Sequence, residues 1–361
     1  MNVTIDVRML NNSGIGTYLK NIIPYIIQEG IHISLIGQEH EISELGWNEF
    51  KNVEVIACDF NIYSIKEQIS LKEFVPNYTD LLWVPHFNVP INYRGKLLVT
   101  IHDVFHLAMA KKVGGLLKRY YSKKLYKNAV DSADHIITVS EFSRKELLQH
   151  LALRIHDSKI KTIYNGVSPS WFKLNKNIQI SSPYIVFVGN VKPHKNLRIL
   201  LEAFDFIKDQ FQIELVIVGK KDGFINGDNK LLTEQLKKMD DKIKFTGYVS
   251  DFEIKNYISN AQLLVFPSLY EGFGLPPLEA MASGVPTVVS NVASMPEVCG
   301  DATIYFNPTD SADLAQAIEK VLNDKNLQKH LINKGKENAL KFTWEKSAGE
   351  HISLLKELCK S

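Results

Sequence analysis

Short apolar runs alternate along the chain with longer stretches in which apolar side chains recur three and four positions apart. The first pattern predicts buried strands and the second amphipathic helices. In the first half, strands are expected at 3–7, 31–36, 53–56, 81–84, 97–101, 135–139 and 160–163, with helices at 16–28 and 116–132. Between 165 and 183 the pattern lapses into polar and turn-forming residues, NGVSPS and NKNIQISSP, which reads as a linker. Strands resume at 184–188, 213–218, 243–246, 263–266, 287–290 and 303–306. Helices at 197–211, 230–238, 251–260, 277–282 and 311–322 fall between or after them, and two more helical stretches follow. Such alternation gives parallel sheets covered on both faces. The expectation is two doubly wound, Rossmann-like α/β domains, 1–168 and 169–342, followed by a helical segment at 343–361. Open sheets bind ligands beyond the carboxyl ends of their strands. Two of them facing a cleft would suit transfer between two substrates.

Composition narrows the class. Of 361 residues, 45% are apolar and 23% charged, ordinary for a globular chain and enough for two cores. With 42 Lys and Arg against 40 Asp and Glu, the net charge is +2. That gives no global basis for binding nucleic acid and leaves any basic surface local. Cys58, Cys299 and Cys359 are scattered and odd in number, which argues against a disulfide framework or a zinc site and fits a reducing compartment. The opening MNVTIDVRML reads as a strand and not as a signal peptide. No run approaches the roughly 18 apolar residues that cross a bilayer. A cytoplasmic protein is expected.

Candidate chemistry sits in three glycine loops. In the first, SGIGT at 13–17, Gly14 and Gly16 permit close backbone approach and the following helix start offers N–H groups to an anion. Leu19 stands where a dinucleotide fingerprint has its third glycine, so a plain tight turn is an equal reading. The second loop, 189–196, follows a strand with Gly189 and Asn190 and carries Lys192, His194 and Lys195. Cations beside a helix N-terminus suit a diphosphate, although loop lysines are also commonly just solvated. No GxxxxGK[ST] occurs, which argues against a P-loop nucleotidase. The third, PSLYEGFGLPPLEAMA at 267–282, is the most informative. Gly272 and Gly274 free the backbone, so that the N–H groups of Phe273, Gly274 and Leu275 can point at a bound group. Pro276 and Pro277 start a helix, and Glu279 is expected in its first turn. Glu271 and Glu279 thus meet at one strand end, where carboxylates accept from hydroxyls. A charge complementing the helix dipole is the plainer reading of Glu279.

EGFGLPPLEAMA, with its glutamates eight positions apart, resembles the signature of the family-4 retaining glycosyltransferases of the GT-B fold. The resemblance extends over most of the chain. It takes in SGIGTY at 13–18, His102-Asp103 in VTIHDVF, VSEFS at 139–143, NGV at 165–167, the basic loop 189–196, Gly247-Tyr248-Val249 and FTW at 342–344. It implies that the helix after FTW crosses back to the first domain. It implies that Glu279 holds ribose hydroxyls and Glu271 the donor sugar, with the 273–275 backbone on sugar and phosphates. Lys195 would grip the diphosphate, His102 would lie over the donor sugar, and Gly14 and Gly16 would let the first domain close over the diphosphate. Many members carry arginine where this chain has Asn190, so Lys192 would supply that charge.

A nucleotide-diphosphate sugar leaves negative charge that cations, N–H dipoles or a metal must stabilise. Metal-using transferases commonly present Asp-x-Asp, and none occurs. No metal cofactor is expected, with Lys192, Lys195 and helix N-termini in its place. Retention by a carboxylate nucleophile lacks an evident candidate here. The family favours same-face attack, with the leaving phosphate taking the acceptor's proton. His86 in VPHFNVP and Asp103 are acceptor-side candidates, with a structural histidine as the plainer reading of His86. Tyr248 sits near the nucleobase or in the core. An epimerase or hydrolase of the same fold, and a non-catalytic nucleotide-sugar binder, compete with a transferase. The paired glutamates with their glycine loop, and the set Glu271, Glu279, Lys195 and His102, argue against them. The opening IDVRMLNNSGIGTYL and VPHFNVP…IHD resemble bacterial mannosyltransferases of surface-polysaccharide assembly. That implies GDP-mannose as donor, with UDP-hexoses or UDP-N-acetylhexosamines as the alternative, and a saccharide or polyprenyl-linked acceptor. Finally, Lys111, Lys112, Lys118, Arg119, Lys123, Lys124 and Lys127 lie among Val113, Leu116, Leu117, Tyr120, Tyr121, Leu125 and Tyr126 with no acidic residue. This basic stretch, 111–127, is expected to meet an anionic membrane surface on the inner face of the plasma membrane. A core-packed helix with a solvated basic face is the alternative.

Overall fold

The computed structural model describes all residues except 110–114, 152–155, 174–181, 220–240 and 361. The helix expected at 230–238, most of NKNIQISSP, and Lys111, Lys112 and Val113 lie outside the described residues. The chain divides into two compact units, Met1–Gly166 with Trp344–Ser361, and Val167–Thr343.

The first unit holds β1 (Asn2–Asp6), β2 (His32–Gly37), β3 (Val53–Ala57), β4 (Leu81–Val84), β5 (Leu97–Ile101), β6 (His135–Thr138) and β7 (Ile160–Thr162). The sheet order is β3-β2-β1-β4-β5-β6-β7, and every pair is parallel. Strands covered on both faces need side chains that are apolar on both, so β4 (LLWV) and β5 (LLVTI) are buried throughout. Helix Ser13–Gln28 buries Tyr18, Leu19, Ile22, Ile23, Ile26 and Ile27 on one side. Helix Trp344–Lys360 packs on that helix and on β4. Helix Gly115–Ser132 turns Tyr126, Ala129 and Val130 into the core around β4, β5 and β6, and Leu125 is buried as well. Leu125 and Tyr126, which the sequence groups with the membrane-facing residues, are therefore core residues. Arg119, Tyr120, Tyr121, Lys123 and Lys124 are exposed.

The second unit holds β8 (Tyr184–Val188), β9 (Glu214–Val218), β10 (Ile243–Gly247), β11 (Leu263–Phe266), β12 (Thr287–Ser290) and β13 (Ile304–Phe306). The order is β10-β9-β8-β11-β12-β13, again all parallel. Its core gathers under helices Leu197–Phe211 and Ser311–Asn323. The helices are stopped and started by local chemistry. Ser250 and Glu253 form a reciprocal capping box, and Asp310 and Asp324 each accept two backbone N–H bonds at a helix start.

Each sheet grows outward from its first strand in both directions. The order reverses between β1 and β4 in one unit and between β8 and β11 in the other. At such a point the two neighbouring connections leave on opposite faces and open a crevice at the carboxyl ends. Among the described residues, no helix is long and apolar enough to cross a membrane.

Candidate active site

In the second unit the reversal sets the basic loop after β8 beside the glycine loop after β11. The backbone N–H of Leu269 donates to the carbonyl of His194 at 2.7 Å, tying the loops together. Residues Pro193–Lys195 form a single 3-10 turn, and Asn196, in the left-handed region at φ 55°, redirects the chain into helix Leu197–Phe211. The Asn196 amide donates to the carbonyl of Pro308 at 2.8 Å. Lys195 is thereby aimed across the crevice, where its Nζ donates to Glu271 Oε1 at 2.6 Å. Both side chains remain partly accessible. Asn190 and Lys192 are exposed on the same loop.

The glycine loop is braced from behind. Ser294 Oγ donates to the Phe273 carbonyl at 2.8 Å, with the Glu271 carbonyl 3.0 Å away. Gly274 has φ 101°, a conformation that strains any other residue, and a Cβ there would also displace Met295 Cε from 2.2 Å away. This left-handed residue caps helix Leu275–Ala282, which starts two residues before the proline-based expectation. Glu279 is consequently its fifth residue and lies beyond the first turn, a correction that weakens the helix-dipole reading. Burial pushes the Glu279 carboxyl up to about 8, and the nearby Asp251 carboxylate adds to the rise. No described cation or donor offsets it. The two glutamates thus differ. Glu271 is paired with Lys195, while Glu279 is half-buried with no donor or cation among the described residues. Across the sheet, Gly247 ends β10 at φ 73°, Val249 is half-buried, and Tyr248 is 81% exposed, which removes the core reading for that ring.

In the first unit His102 and Asp103 follow β5. His102 Nε2 donates to the Pro85 carbonyl at 3.0 Å, so Nδ1 carries the lone pair. Burial pushes this imidazole down to about 4, and it is neutral. The ring of Tyr18 meets it edge to face with centroids 4.9 Å apart. Tyr18 itself is buried in a directional chain. His351 Nδ1 faces the Ser347 carbonyl at 2.7 Å and must donate, leaving Nε2 to accept from the Tyr18 hydroxyl. Trp83 Nε1 donates to Thr100 Oγ1, and Thr100 reaches the Tyr18 oxygen at 3.2 Å. Gly16 begins this packing, since a Cβ there would sit 2.2 Å from the Leu10 carbonyl; Gly14 faces open space.

Beside β1 and β4 lies a buried ion network that motif reasoning missed. Arg8 Nη2 bonds Asp6 Oδ2 at 2.6 Å and Glu67 Oε1 at 2.7 Å, and Arg8 Nε bonds Asp6 Oδ1 at 2.9 Å. Asn88 donates to Glu67 Oε2. Burial alone would raise the Asp6 carboxyl, yet Arg8 and His86 hold it well below the carboxylate range; burial raises that of Glu67. His86 Nδ1 accepts from the Asn88 N–H at 3.1 Å, so Nε2 donates to Asp6 at 3.2 Å. His86 is a satisfied core histidine. Asp6, Glu67 and His86 could hold a metal by spacing, but Arg8 already bridges the two carboxylates. The sequence signal for the network was an acid and an arginine two apart at the end of an apolar strand, IDVR.

Residues 172–338 match the family model described as glycosyl transferases group 1, and residues 12–171 that described as glycosyltransferase family 4. The chain is 30% identical over 292 residues to O-antigen chain mannosyltransferase B of Escherichia coli, covering 78% of this chain and 76% of that one. It is likewise 30% identical over 241 residues to the Salmonella typhimurium O-antigen chain mannosyltransferase RfbU, covering 67% and 64%. Among solved structures, Anabaena HepE in complex with UDP-glucose superposes with a TM-score of 0.79 at 17% identity, covering 99% of this chain and 100% of that one. That likeness speaks for the two-sheet fold.

Proposed function

Because the chain belongs to the group 1 and family 4 glycosyltransferases, we propose that it moves mannose from GDP-mannose to a saccharide or polyprenyl-linked saccharide acceptor in surface-polysaccharide synthesis, with retention of configuration. The 30% identity to O-antigen mannosyltransferases favours this donor and pathway class. One observation carries the reading: a lysine–glutamate pair lies at the point where the second sheet reverses, and an uncompensated carboxylate stands on the helix that leaves the same glycine loop. A ribose diol offers two hydroxyl donors, which is what Glu279 lacks. A diphosphate offers anionic oxygens, which Lys195 can take while releasing Glu271 toward the sugar hydroxyls.

In this reading the second unit takes the donor and the first the acceptor. Lys195, Lys192 and the N–H groups of Phe273, Gly274 and Leu275 stabilise charge on the leaving diphosphate without a metal. Asn190 and Gly189 lie along it, with Gly247, Tyr248 and Val249 at the nucleoside. We assign His102, neutral and fixed in one tautomer, to the donor sugar, Asp103 to the acceptor side, and Gly14 and Gly16 to the diphosphate. The acceptor hydroxyl attacks from the face the phosphate leaves, and a leaving phosphate oxygen takes its proton. Tyr120 and Tyr121 among Arg119, Lys123 and Lys124 form an exposed basic, aromatic surface that suits the inner face of an anionic plasma membrane.

The test is a thermal-shift and turnover panel of nucleotide sugars. GDP-mannose should give the largest shift and support transfer with the anomeric configuration kept. A preference for a UDP-sugar would replace the donor, and donor consumption without transfer to any acceptor would replace the transferase reading.

A further inference from the structure

The buried network of Asp6, Arg8, Glu67 and Asn88 has one product outside the core, the turn that presents Tyr63. Ser64 caps helix Ile65–Ser70 by accepting from the Glu67 N–H at 3.1 Å. The Glu67 side chain turns back, and its Oε2 accepts from the Tyr63 N–H at 2.6 Å. That carboxylate is itself clamped by Arg8 and Asn88. The clamp holds Tyr63 at φ 67°, a left-handed conformation that a bulky aromatic residue rarely adopts and that persists only when its surroundings impose it.

The result is specific. Tyr63 is 44% exposed as a residue, and its ring centroid lies 5.8 Å from that of Phe87 with the planes inclined by 30°. Phe87 is backed in turn by Tyr126, stacked at 4.1 Å. Burial, with the Asp103 and Glu67 carboxylates nearby, pushes the Tyr63 phenol up to about 12, so it keeps its proton. Phe87 follows β4 and Asp103 follows β5, both at carboxyl ends next to the β1/β4 reversal, and Asp103 adjoins His102. Buried charges and a strained backbone are thus spent on placing one aromatic face beside a carboxylate at the ligand-binding edge of the sheet.

We propose that Tyr63, backed by Phe87 and flanked by Asp103, is the platform on which a pyranose ring of the acceptor lies. A pyranose has a face of C–H bonds, weakly positive, which fits the negative face of an aromatic ring. Its rim of hydroxyls fits a carboxylate acceptor and a protonated phenol. Glu67 is the positioning residue, since it acts only through the backbone of Tyr63. This inference rests on the transferase reading for the identity of the ligand as acceptor.

Saturation-transfer NMR on the full chain tests it, with methyl pyranosides of mannose, galactose, rhamnose and N-acetylglucosamine as probes and irradiation of aromatic protons. At least one pyranoside should receive saturation, strongest on the C–H groups of one ring face. Tyr63→Ala should cut that signal at least fivefold, while Tyr63→Trp keeps most of it. With the donor established by the panel above, Tyr63→Ala should raise the acceptor KM at least tenfold and leave the donor Kd within twofold. Tyr63→Gly relieves the left-handed strain, and should not lower Tm while losing the saturation signal as alanine does. Absence of saturation on all four pyranosides in the wild type, or an unchanged signal and acceptor KM in Tyr63→Ala, overturns the platform. Failure of every nucleotide sugar to bind overturns the donor reading instead, and leaves the saturation result to stand as saccharide binding.

Discussion

Glutamine at position 279 keeps the shape of the side chain and removes its titration, so Glu279→Gln should flatten the pH dependence of nucleotide binding. Burial, reinforced by Asp251, pushes this carboxyl up to about 8. At pH 7 about one molecule in eleven then carries it ionised. Two ribose hydroxyls need two acceptor oxygens, which only the carboxylate offers without a competing proton. Ionising it at pH 7 costs RT ln 11, about 1.4 kcal/mol, and the cost fades as pH passes 8. GDP should therefore bind about eightfold more tightly at pH 8.5 than at pH 7, with about 0.9 proton released per nucleotide at pH 7. Calorimetry at both pH values, in two buffers of different ionisation enthalpy, measures slope and proton release together. Glu279→Gln should bind more weakly at pH 8.5 and lose the slope. A glutamine variant with the wild-type slope, or proton uptake by the wild type at pH 7, would refute the assignment of the ribose to this carboxyl.

Other expectations follow from the same geometry. Lys195→Ala strands Glu271 without its cation and removes a diphosphate contact, so kcat/KM should fall by about 10- to 150-fold, the equivalent of one charged hydrogen bond; steady-state kinetics reads it, and an unchanged value would remove Lys195 from the clamp. Tyr18→Phe leaves His351 Nε2 without its donor and the Thr100 hydroxyl proton without its acceptor inside the first unit, and should lower stability by about 1–3 kcal/mol in denaturant titration. Burial holds His351 at about 4 when folded, below its ordinary value of 6.5. Its neutral form therefore stabilises the fold fully above pH 6.5, and that contribution, at most about 3 kcal/mol, is lost as pH falls toward 4. His351→Gln should show a shallower acid limb in pH-dependent unfolding. Turnover should survive excess EDTA; loss restored by magnesium or manganese would sink the lysine clamp. Vesicles of anionic lipid should bind the protein in a salt-sensitive way, and replacing Arg119, Lys123 and Lys124 by serine should abolish co-sedimentation; equal binding by the variant would end the membrane proposal.

The strands were legible because parallel sheets buried on both faces demand continuous apolar runs. β4, β8, β11 and β12 have the bounds that the pattern predicts. Helix starts were less legible. Gly274 in the left-handed region moved the start of the 275–282 helix ahead of its prolines, because a cap is a backbone conformation that composition reports only indirectly. The short helices at 39–44 and 65–70 left too little periodicity to find. Among site residues, the glycine loop and its glutamates stood out because their spacing is local. The pairing of Lys195 with Glu271 spans 76 positions, and that of Tyr18 with His351 spans 333. Such contacts depend on strand order, which no local pattern encodes.

The first unit takes its last helix from beyond the second. During synthesis, Val167–Thr343 is contiguous and can fold as soon as it leaves the ribosome, at a pace of about 5–20 residues per second. The earlier sheet cannot finish then. Tyr18 and Trp83 lie uncovered, and the Tyr18 hydroxyl lacks its acceptor, until Trp344–Lys360 has been translated. The nascent chain thus carries an open apolar seam for the whole time its second half is being made, a natural station for a chaperone. A ribosome that stalls before codon 344 releases a product with a finished second sheet and an unsealed first one. Such a product would expose Tyr18 and Trp83 to solvent, so proteolysis should cut its first unit faster than that of the full chain.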